Sequence, residues 1–188
     1  MIDVTWAWLG QGLGLDLANT VAIENGTEHD FIASFEEFDR WAALESEFLP
    51  GGGRNLLLRA RPRLLDLRTV VREGFASIAA NEKVPATVAD ALNGFSRLAP
   101  EWLKIDMASW TIREETSASD VDKLLAHYAR SAMQLVAYEA TRIKRCPAPS
   151  CGMFYVSSRS LQRWCSSQCG SRARVARYYR RQLSAAAR

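Results

Sequence analysis

The chain has 188 residues, of which 48% are apolar and 24% charged, and its formal net charge is +3. This length and composition predict a globular protein with a hydrophobic core, organised as one domain or as one main domain with a small appendage. A membrane-spanning helix is excluded, because no apolar run approaches the ~20 residues that such a helix needs.

The N-terminal segment predicts a short β region without a targeting signal. Residues 3–22 combine β-forming side chains with a glycine-rich turn, a pattern typical of two short strands. The first 14 residues lack the basic region of a secretory signal and include Asp3. We therefore expect a cytoplasmic protein, whose thiols stay reduced and free to bind metal.

Three helical segments are predicted before residue 100. Ser34 and the glutamate three residues later form a capping-box pattern, and apolar residues at helical spacing follow. After a glycine run, a longer helical pattern covers residues 56–81, and we expect Pro62 to interrupt it. A shorter helix is predicted after Pro85.

A hairpin and a long helix are predicted next. Residues 102–115 alternate around a short Met-Ala-Ser turn, which is typical of a β-hairpin. Ser119 then precedes apolar residues at helical spacing, which predicts a long amphipathic helix capped by this serine. Helices outweigh strands and do not alternate with them, so the predicted fold class is α+β, helix-dominated.

The four cysteines lie within 24 consecutive residues, in the spacing C-x4-C-x13-C-x3-C: Cys146, Cys151, Cys165 and Cys169. Two close pairs separated by a longer span match the ligand spacing of a tetrahedral metal site. Four thiolates complete a closed shell around Zn²⁺, so we expect a structural rather than a catalytic ion. A loop, a hairpin between the pairs and a helix with the last ligands would form a treble-clef-like finger. Two disulfides, a metal site sensitive to oxidation and an iron–sulfur cluster are the alternatives.

The small net charge hides a strong division along the chain. Residues 142–188 carry eleven basic side chains and no acidic one, a formal charge of +11. Residues 1–141 carry 13 basic and 21 acidic side chains, a formal charge of −8. This division predicts an acidic domain at 1–141 joined to a basic zinc-finger module at 142–188 that binds a polyanion, with a solvated basic tail as the alternative.

The cysteine region resembles the bacterial CGNR zinc-finger family. The positions that match are Cys146, Cys151, Gly152, Phe154, Arg163, Trp164, Cys165, Ser166, Cys169, Gly170 and Arg172. The opening of the chain is similar to that family's Leu-Asp-Phe-x-Asn-Thr motif through Leu15, Asp16, Asn19 and Thr20. The resemblance implies a C-terminal finger after an N-terminal domain described as a candidate stress-induced transcription regulator. Ser171 stands where the family has the Asn of its eponymous motif, a departure that removes no metal ligand.

An arginine-rich helix is predicted beyond the last cysteine. On a helix with about 100° per residue, Arg174, Arg177 and Arg181 lie within about 60° of one another, and Arg180 lies beside them. The opposite side holds Val175, Tyr179 and Leu183. We expect this apolar side to pack on the finger and the arginine side to face outward.

Arginine suits phosphate because its guanidinium group offers a fixed fork of donors. The predicted nucleic-acid contacts are Arg159, Arg163, Arg172, Arg174, Arg177, Arg180 and Arg181. An alternative role for Arg163 and Arg172 is to neutralise the zinc–thiolate cluster. The arginine side has a further alternative, which is to dock on the acidic domain and give an autoinhibited protein.

The N-terminal domain shows no set of nucleophile and base and no phosphate-binding loop, so we do not expect an enzyme. Asp16 and Asn19 are candidate contacts for a small-molecule effector, although an Asn-Thr pair is equally typical of a helix cap or a turn. The domain is expected to act as a sensor or in dimerisation.

The leading hypothesis is a transcription regulator that binds nucleic acid through a zinc-stabilised basic module, with DNA as the expected partner and RNA as the alternative. The second hypothesis is a protein-interaction module whose finger binds an acidic protein, and the third is a small-molecule enzyme. A small-molecule effector and a homodimer remain open, and no membrane partner is expected.

Overall fold

The computed structural model describes residues 8–24, 26–49 and 53–186. The α-helices in these ranges are α1 (Leu13–Ala18), α2 (Phe35–Glu45), α3 (Arg54–Ala79), α4 (Ala86–Ser96), α5 (Asp120–Glu139) and α6 (Ser167–Ala186). The strands are β1 (Val21–Glu24), β2 (Thr27–Asp30), β3 (Trp102–Asp106), β4 (Thr111–Glu115), β5 (Ile143–Arg145) and β6 (Phe154–Val156). None of the described helices is both long enough and apolar enough to cross a membrane.

Helices form the body of the protein, and the strands form three small sheets. In the described part of the chain, β1 pairs with β2, β3 with β4 and β5 with β6, each pair antiparallel. The central helices α3 and α5 pack against each other, and α1 and α4 pack against both. This architecture confirms the predicted α+β, helix-dominated class.

Two helix starts that capping residues predict are confirmed. Ser34 Oγ accepts a hydrogen bond from Glu37 N at 3.1 Å, and the Glu37 carboxylate accepts one from Ser34 N at 3.0 Å, which completes a capping box. At the start of α5, Ser119 Oγ accepts a hydrogen bond from Asp122 N at 3.2 Å. These bonds determine where α2 and α5 begin, and therefore which side of each helix enters the core.

Residues 3–22 do not form the two predicted strands in the described part, because Leu13–Ala18 is helix α1 and only Val21 and Ala22 belong to a strand, β1. Residues 3–7 lie outside the described residues. Alternating leucines imitate a strand here, but every residue of α1 is buried, so its apolar pattern has no period. A Cβ on Gly14 would lie 2.9 Å from backbone atoms of Ala132, so glycine permits the close packing of α1 on α5. The polar segment Thr27–Asp30 after β1 forms β2.

The predicted interruption at Pro62 is also wrong, because α3 runs unbroken from Arg54 to Ala79. A proline inside a helix removes one hydrogen bond and costs about 3 kcal/mol. Residues on one side of α3 around this proline are fully buried, namely Leu57, Ala60, Leu64 and Leu67. Their burial offsets the cost of the proline and keeps the helix continuous.

A carboxyl group lies in the middle of this core. Glu45, the last residue of α2, is fully buried, and its Oε1 accepts a hydrogen bond of 2.6 Å from Tyr128 Oη in α5. Its other oxygen, Oε2, is buried without a hydrogen-bond partner among the described residues. Desolvation raises the pKa of Glu45 to about 8, and the charge of Asp16 adds to this increase. Glu45 is therefore protonated at neutral pH.

Burial raises the pKa of the neighbouring Asp16 carboxyl to about 6, so the window from about pH 6 to about pH 8 reports mainly on Glu45. We expect Glu45 to make the protein less stable as the pH rises through this window. The folded protein holds the Glu45 proton up to about 8, whereas the unfolded chain loses it near the ordinary pKa of 4.5. The folded state thus binds more protons in this window, and stability falls as the pH rises. Glu45→Gln keeps an acceptor for Tyr128 but does not titrate, so it should remove about 2 kcal/mol of this pH dependence.

Urea unfolding at both ends of this pH window measures the effect. Glu82→Gln changes an exposed glutamate and is the matched control. If wild type and Glu45→Gln lose equal stability between the two pH values, the raised pKa of Glu45 is contradicted.

The hairpin predicted at residues 102–115 is confirmed as β3 paired with β4. Ile105 lies opposite Ile112, and the connection between the strands is residues 107–110. The hairpin stands between α4 and α5 in the chain, and among the described residues its strands pack mainly on each other.

The cysteine-bearing segment shares the core of the helices. Phe154 of β6 is buried, and its ring centroid lies 5.8 Å from that of Phe75 in α3. The side chain of Asn19 binds the backbone of Phe154 twice: Nδ2 donates to the carbonyl oxygen at 3.0 Å, and Oδ1 accepts from the amide at 2.8 Å. The hairpin β5–β6 is therefore attached to the N-terminal helices. The boundary between domains at residue 141 stays a prediction.

Candidate metal centre and basic surface

The first cysteine pair lies in the connection between β5 and β6. Cys146 N donates to Met153 O at 2.8 Å, which extends the pairing of the two strands. Cys151 O accepts a hydrogen bond from Ile23 N at 2.7 Å, so β1 holds this loop in place. Gly152 has a φ of +67°, and a Cβ on it would lie 2.7 Å from the Ile23 side chain. Both the backbone conformation and the close contact with β1 require glycine.

The second cysteine pair lies at the start of α6. Ser166 Oγ accepts a hydrogen bond from Cys169 N at 3.2 Å, so Ser166 caps the helix. Cys169 therefore lies in the first helical turn, where the helix dipole stabilises a thiolate. Trp164 packs on Gly170, where a Cβ would lie 3.1 Å from the indole ring.

The hairpin that we predicted between the cysteine pairs is absent from the described residues. Between Cys151 and Cys165 the only described strand is β6, which pairs backward with β5, so the hairpin encloses the first pair. Local side-chain bonds organise the rest of this span: Ser157 Oγ donates to Arg159 O at 2.6 Å, and Ser158 N donates to Gln162 Oε1 at 2.8 Å. Such bonds compete with strand pairing. The treble-clef-like description stays a prediction.

The four cysteine sulfur atoms converge, and all lie within 4.8 Å of one another. Cys165 Sγ is 3.4 Å from Cys169 Sγ and 3.7 Å from Cys151 Sγ. Four sulfurs at the Zn–S distance of about 2.3 Å form a tetrahedron with edges of about 3.8 Å, so this spacing fits one zinc ion. All four cysteines are free, in contrast to the disulfide alternative. A closed set of four sulfurs suits a structural ion.

The crowded sulfurs oppose ionisation of the whole set. Hydrogen bonds from Cys151 and Cys165 lower the pKa of Cys146 to about 2. The hydrogen bond with Cys146 raises the pKa of Cys151 to about 12, and the same partner raises the pKa of Cys165. Hydrogen bonding among the sulfurs thus favours the thiolate at Cys146 and the thiol at Cys151 and Cys165. A divalent cation that binds all four must therefore displace protons.

Two of the predicted arginines lie beside the cluster. Arg172 Nη2 donates to Cys169 Sγ at 3.0 Å, so its charge opposes the formal −2 of a zinc ion bound by four thiolates. The guanidinium carbon of Arg163 lies 5.7 Å from the centroid of the Trp164 ring, within the range of a cation–π contact. Arg172 is placed to neutralise the cluster, and Arg163 lies at its rim.

Helix α6 extends from the cluster along the surface. It has 20 residues, a length of about 30 Å, and its first turns are held by buried Cys169 and Ala173. The prediction that its apolar side packs on the finger is wrong, because Val175 is 54%, Tyr179 62% and Leu183 72% exposed. Strands of three residues each are too short to cover more than the first turns of such a helix.

The predicted arginine surface is open. The arginines placed at the surface are Arg159, Arg163, Arg172, Arg174, Arg177, Arg180 and Arg181. None of them forms an ion pair with an acidic side chain in the described part of the chain. The docked, autoinhibited arrangement is therefore not the one that this structure adopts.

Two shallow depressions divide these arginines along α6. One of about 760 Å³ lies between the finger loop and the start of α6, and Arg159, Arg163 and Arg174 line it. The other, of about 720 Å³, is lined by Arg177, Arg180 and Arg181. Each depression thus concentrates three guanidinium groups, an arrangement that attracts anions.

Asp16 and Asn19 are buried and bonded to the chain itself. The Asp16 carboxylate accepts hydrogen bonds from Gly10 N at 2.8 Å and Gln11 N at 3.1 Å, and so closes the loop before α1. Asn19 binds the backbone of Phe154, a contact that sequence reasoning missed because the two residues lie 135 positions apart. The effector contacts that we predicted for Asp16 and Asn19 stay a prediction.

Two family models match the chain. A model described as "Putative stress-induced transcription regulator" matches residues 11–139, and a model of the CGNR zinc finger matches residues 142–182. No curated protein sequence matches the chain. The finger match and the converging sulfurs together confirm the predicted structural zinc and the resemblance on which part of that prediction rested.

Proposed function

The chain belongs to the ABATE family and carries a CGNR zinc finger, and from this premise we propose that it is a transcription regulator that binds duplex DNA through the arginines of the finger and α6. The observation that carries the proposal is the row of exposed arginines without acidic partners among the described residues. Such guanidinium groups are free to bind phosphates and to release the counterions of DNA.

The shape of the basic surface favours duplex DNA. An α-helix fits the major groove of B-DNA, which is ~12 Å wide, whereas the major groove of duplex RNA is too narrow for side chains to read. We therefore assign α6 to a groove of DNA.

The zinc site and the acidic domain have separate roles in this proposal. Cys165 lies just before α6 and Cys169 lies in its first turn, so a zinc ion bound by both determines where the helix leaves the finger. The formal charge of −8 on residues 1–141 repels phosphates, which directs DNA to the finger. The proposed activity is binding, not catalysis.

Replacing Arg174, Arg177 and Arg181 by Ala should weaken binding to duplex DNA by about 100-fold at physiological salt, because three phosphate contacts are lost. Fluorescence anisotropy with a labelled duplex measures the dissociation constant. The zinc content of the variant should match that of wild type, because these side chains bind no metal.

The matched control removes the same number of charges from the acidic domain. Arg40, Arg59 and Lys83 are exposed, and their joint replacement by Ala should change DNA affinity much less. If both triple variants lose the same DNA affinity, the loss comes from the lower net charge of the protein and not from contacts between Arg174, Arg177 and Arg181 and DNA. If wild type does not bind duplex DNA at low salt, the proposal fails and an acidic protein becomes the favoured partner of the finger.

A further inference from the structure

The hairpin β3–β4 exposes large apolar side chains that the N-terminal body leaves uncovered. Five of them are more than half exposed: Leu103 68%, Ile105 56%, Met107 67%, Trp110 75% and Ile112 67%. Local hydrogen bonds shape the hairpin tip, since the Asp106 carboxylate accepts hydrogen bonds from Ala108 N at 2.9 Å and Ser109 N at 3.3 Å. An exposed apolar cluster of this size on a defined scaffold indicates an interaction surface.

The two faces of the hairpin differ sharply. On one face, Lys104 pairs with Glu115 at 2.9 Å and Arg113 pairs with Asp106 at 2.6 Å. These ion pairs leave the centre of that face polar and neutral, with the half-exposed Trp102 at its end.

The register places the apolar residues on the other face. Ile105 lies directly opposite Ile112, and Leu103 lies opposite Glu114. Since side chains two residues apart share a face, these four side chains lie together, with Glu114 as their one charge. We call this surface, formed by Leu103, Ile105, Ile112 and Glu114, the apolar hairpin face.

We infer that the apolar hairpin face binds the same face of a second copy of this chain and so forms a homodimer around a two-fold axis. A single two-stranded hairpin is marginally stable in water unless its apolar face is covered. Covering the apolar hairpin face with another protein surface would therefore stabilise the hairpin. Two-fold pairing through one self-complementary patch is the commonest way in which identical chains associate.

The charges of the face fit a second copy. When two hairpins face each other with opposite strand directions, the isoleucine pairs meet at the centre and the two Glu114 carboxylates lie at opposite ends. A strongly charged partner would instead bury its charges against isoleucine and leucine without compensation. An apolar surface that matches itself is thus the occupant that this face accepts at least cost.

The available area is also sufficient for a dimer. The three apolar side chains of the apolar hairpin face expose about 400 Å² per copy at roughly 100 to 150 Å² each. Met107 and Trp110 at the hairpin tip raise the exposed apolar surface to about 600 Å², against the ~800 Å² per partner of a standard interface. The surrounding backbone and the polar rim of the hairpin supply the remainder.

Sedimentation equilibrium of the zinc-loaded full chain without nucleic acid tests the inference. The wild type should sediment at twice its chain mass of 21.0 kDa. Ile105→Thr with Ile112→Thr keeps β-branched side chains and the hairpin but removes apolar surface at the centre. Because each substitution occurs twice in the dimer, the dissociation constant of the dimer should rise by about 10-fold or more.

The control is Tyr138→Thr, which removes an exposed aromatic side chain of α5 and should leave the dimer intact. Circular dichroism confirms that each variant is folded. The inference is overturned if the wild type is a monomer, or if the isoleucine variant dimerises as strongly as wild type. Both results concern only the association of two chains. DNA binding by the arginine surface is measured separately, so a monomeric wild type would not contradict the proposed function.

Discussion

Removing the zinc ion should lower the free energy of unfolding of the full chain by more than about 5 kcal/mol, because structural zinc sites contribute about 10–16 kcal/mol in isolated fingers. Cys151→Ser removes one ligand and leaves a hydroxyl that binds zinc poorly. The loss should reach the helices as well, because Phe154 packs on Phe75 of α3 in the shared core. Urea unfolding followed by circular dichroism measures the stability, and elemental analysis measures the metal.

A serine outside the cluster provides the control for this change. Ser160→Ala alters an exposed position of the finger loop and should keep both zinc and stability. A natively purified wild type without zinc, or a Cys151→Ser variant as stable as wild type, would contradict a structural role for the ion.

Replacing Asn19 by Ala should destabilise the protein by about 3–5 kcal/mol. The substitution leaves the buried amide and carbonyl groups of Phe154 without partners, and each unsatisfied buried group costs about 1–3 kcal/mol. A small cavity adds to this cost. The effect should appear in urea unfolding and as faster hydrogen exchange of the Phe154 amide.

Asn93→Ala is the matched control, because Asn93 is exposed on α4. Its effect on stability should stay within about 0.5 kcal/mol. An Asn19→Ala variant that loses no more stability than this control would show that the contact between α1 and the finger does not hold the two parts together.

Signals carried by neighbours along the chain were enough to predict much of the fold. Ser34 and Ser119 mark helix starts because their side chains bond to amides three residues later, within the same local sequence. The spacing of the cysteines likewise predicts one metal site. The two cysteines of each pair are close in sequence, so only the two pairs have to be brought together by the fold. The converging sulfurs follow from that pattern.

The errors arise where packing outweighs local preference. Pro62 lies within an unbroken helix because buried leucines on both sides of it hold α3 in place. The leucines of Leu13–Ala18 alternate as in a strand, but close packing through Gly14 places them in a buried helix. The apolar side of α6 lacks a cover because the finger is small, and a helical period does not indicate how much surface is available to cover it.

Contacts between distant residues could not be predicted from one sequence. Asn19 and Phe154 lie 135 positions apart, and Glu45 and Tyr128 lie 83 apart. Each pair consists of common residue types without a motif, and the partners meet only because α1, α2 and α5 share a core. The resemblance of the opening segment to a family motif marked Asn19, but the bond to the finger emerges from the structure alone.

The central claim is that the arginines of the finger and α6, held in place by the zinc site, bind DNA phosphates. The most direct test is the salt dependence of binding between the zinc-loaded full chain and a duplex DNA. Six arginines apart from Arg172 predict that the logarithm of the association constant falls with a slope of about −5 against the logarithm of salt concentration. Affinity should then drop by about 1000-fold between about 50 and 200 mM salt. An affinity that does not change across this range, or no binding at its lower end, would contradict the claim.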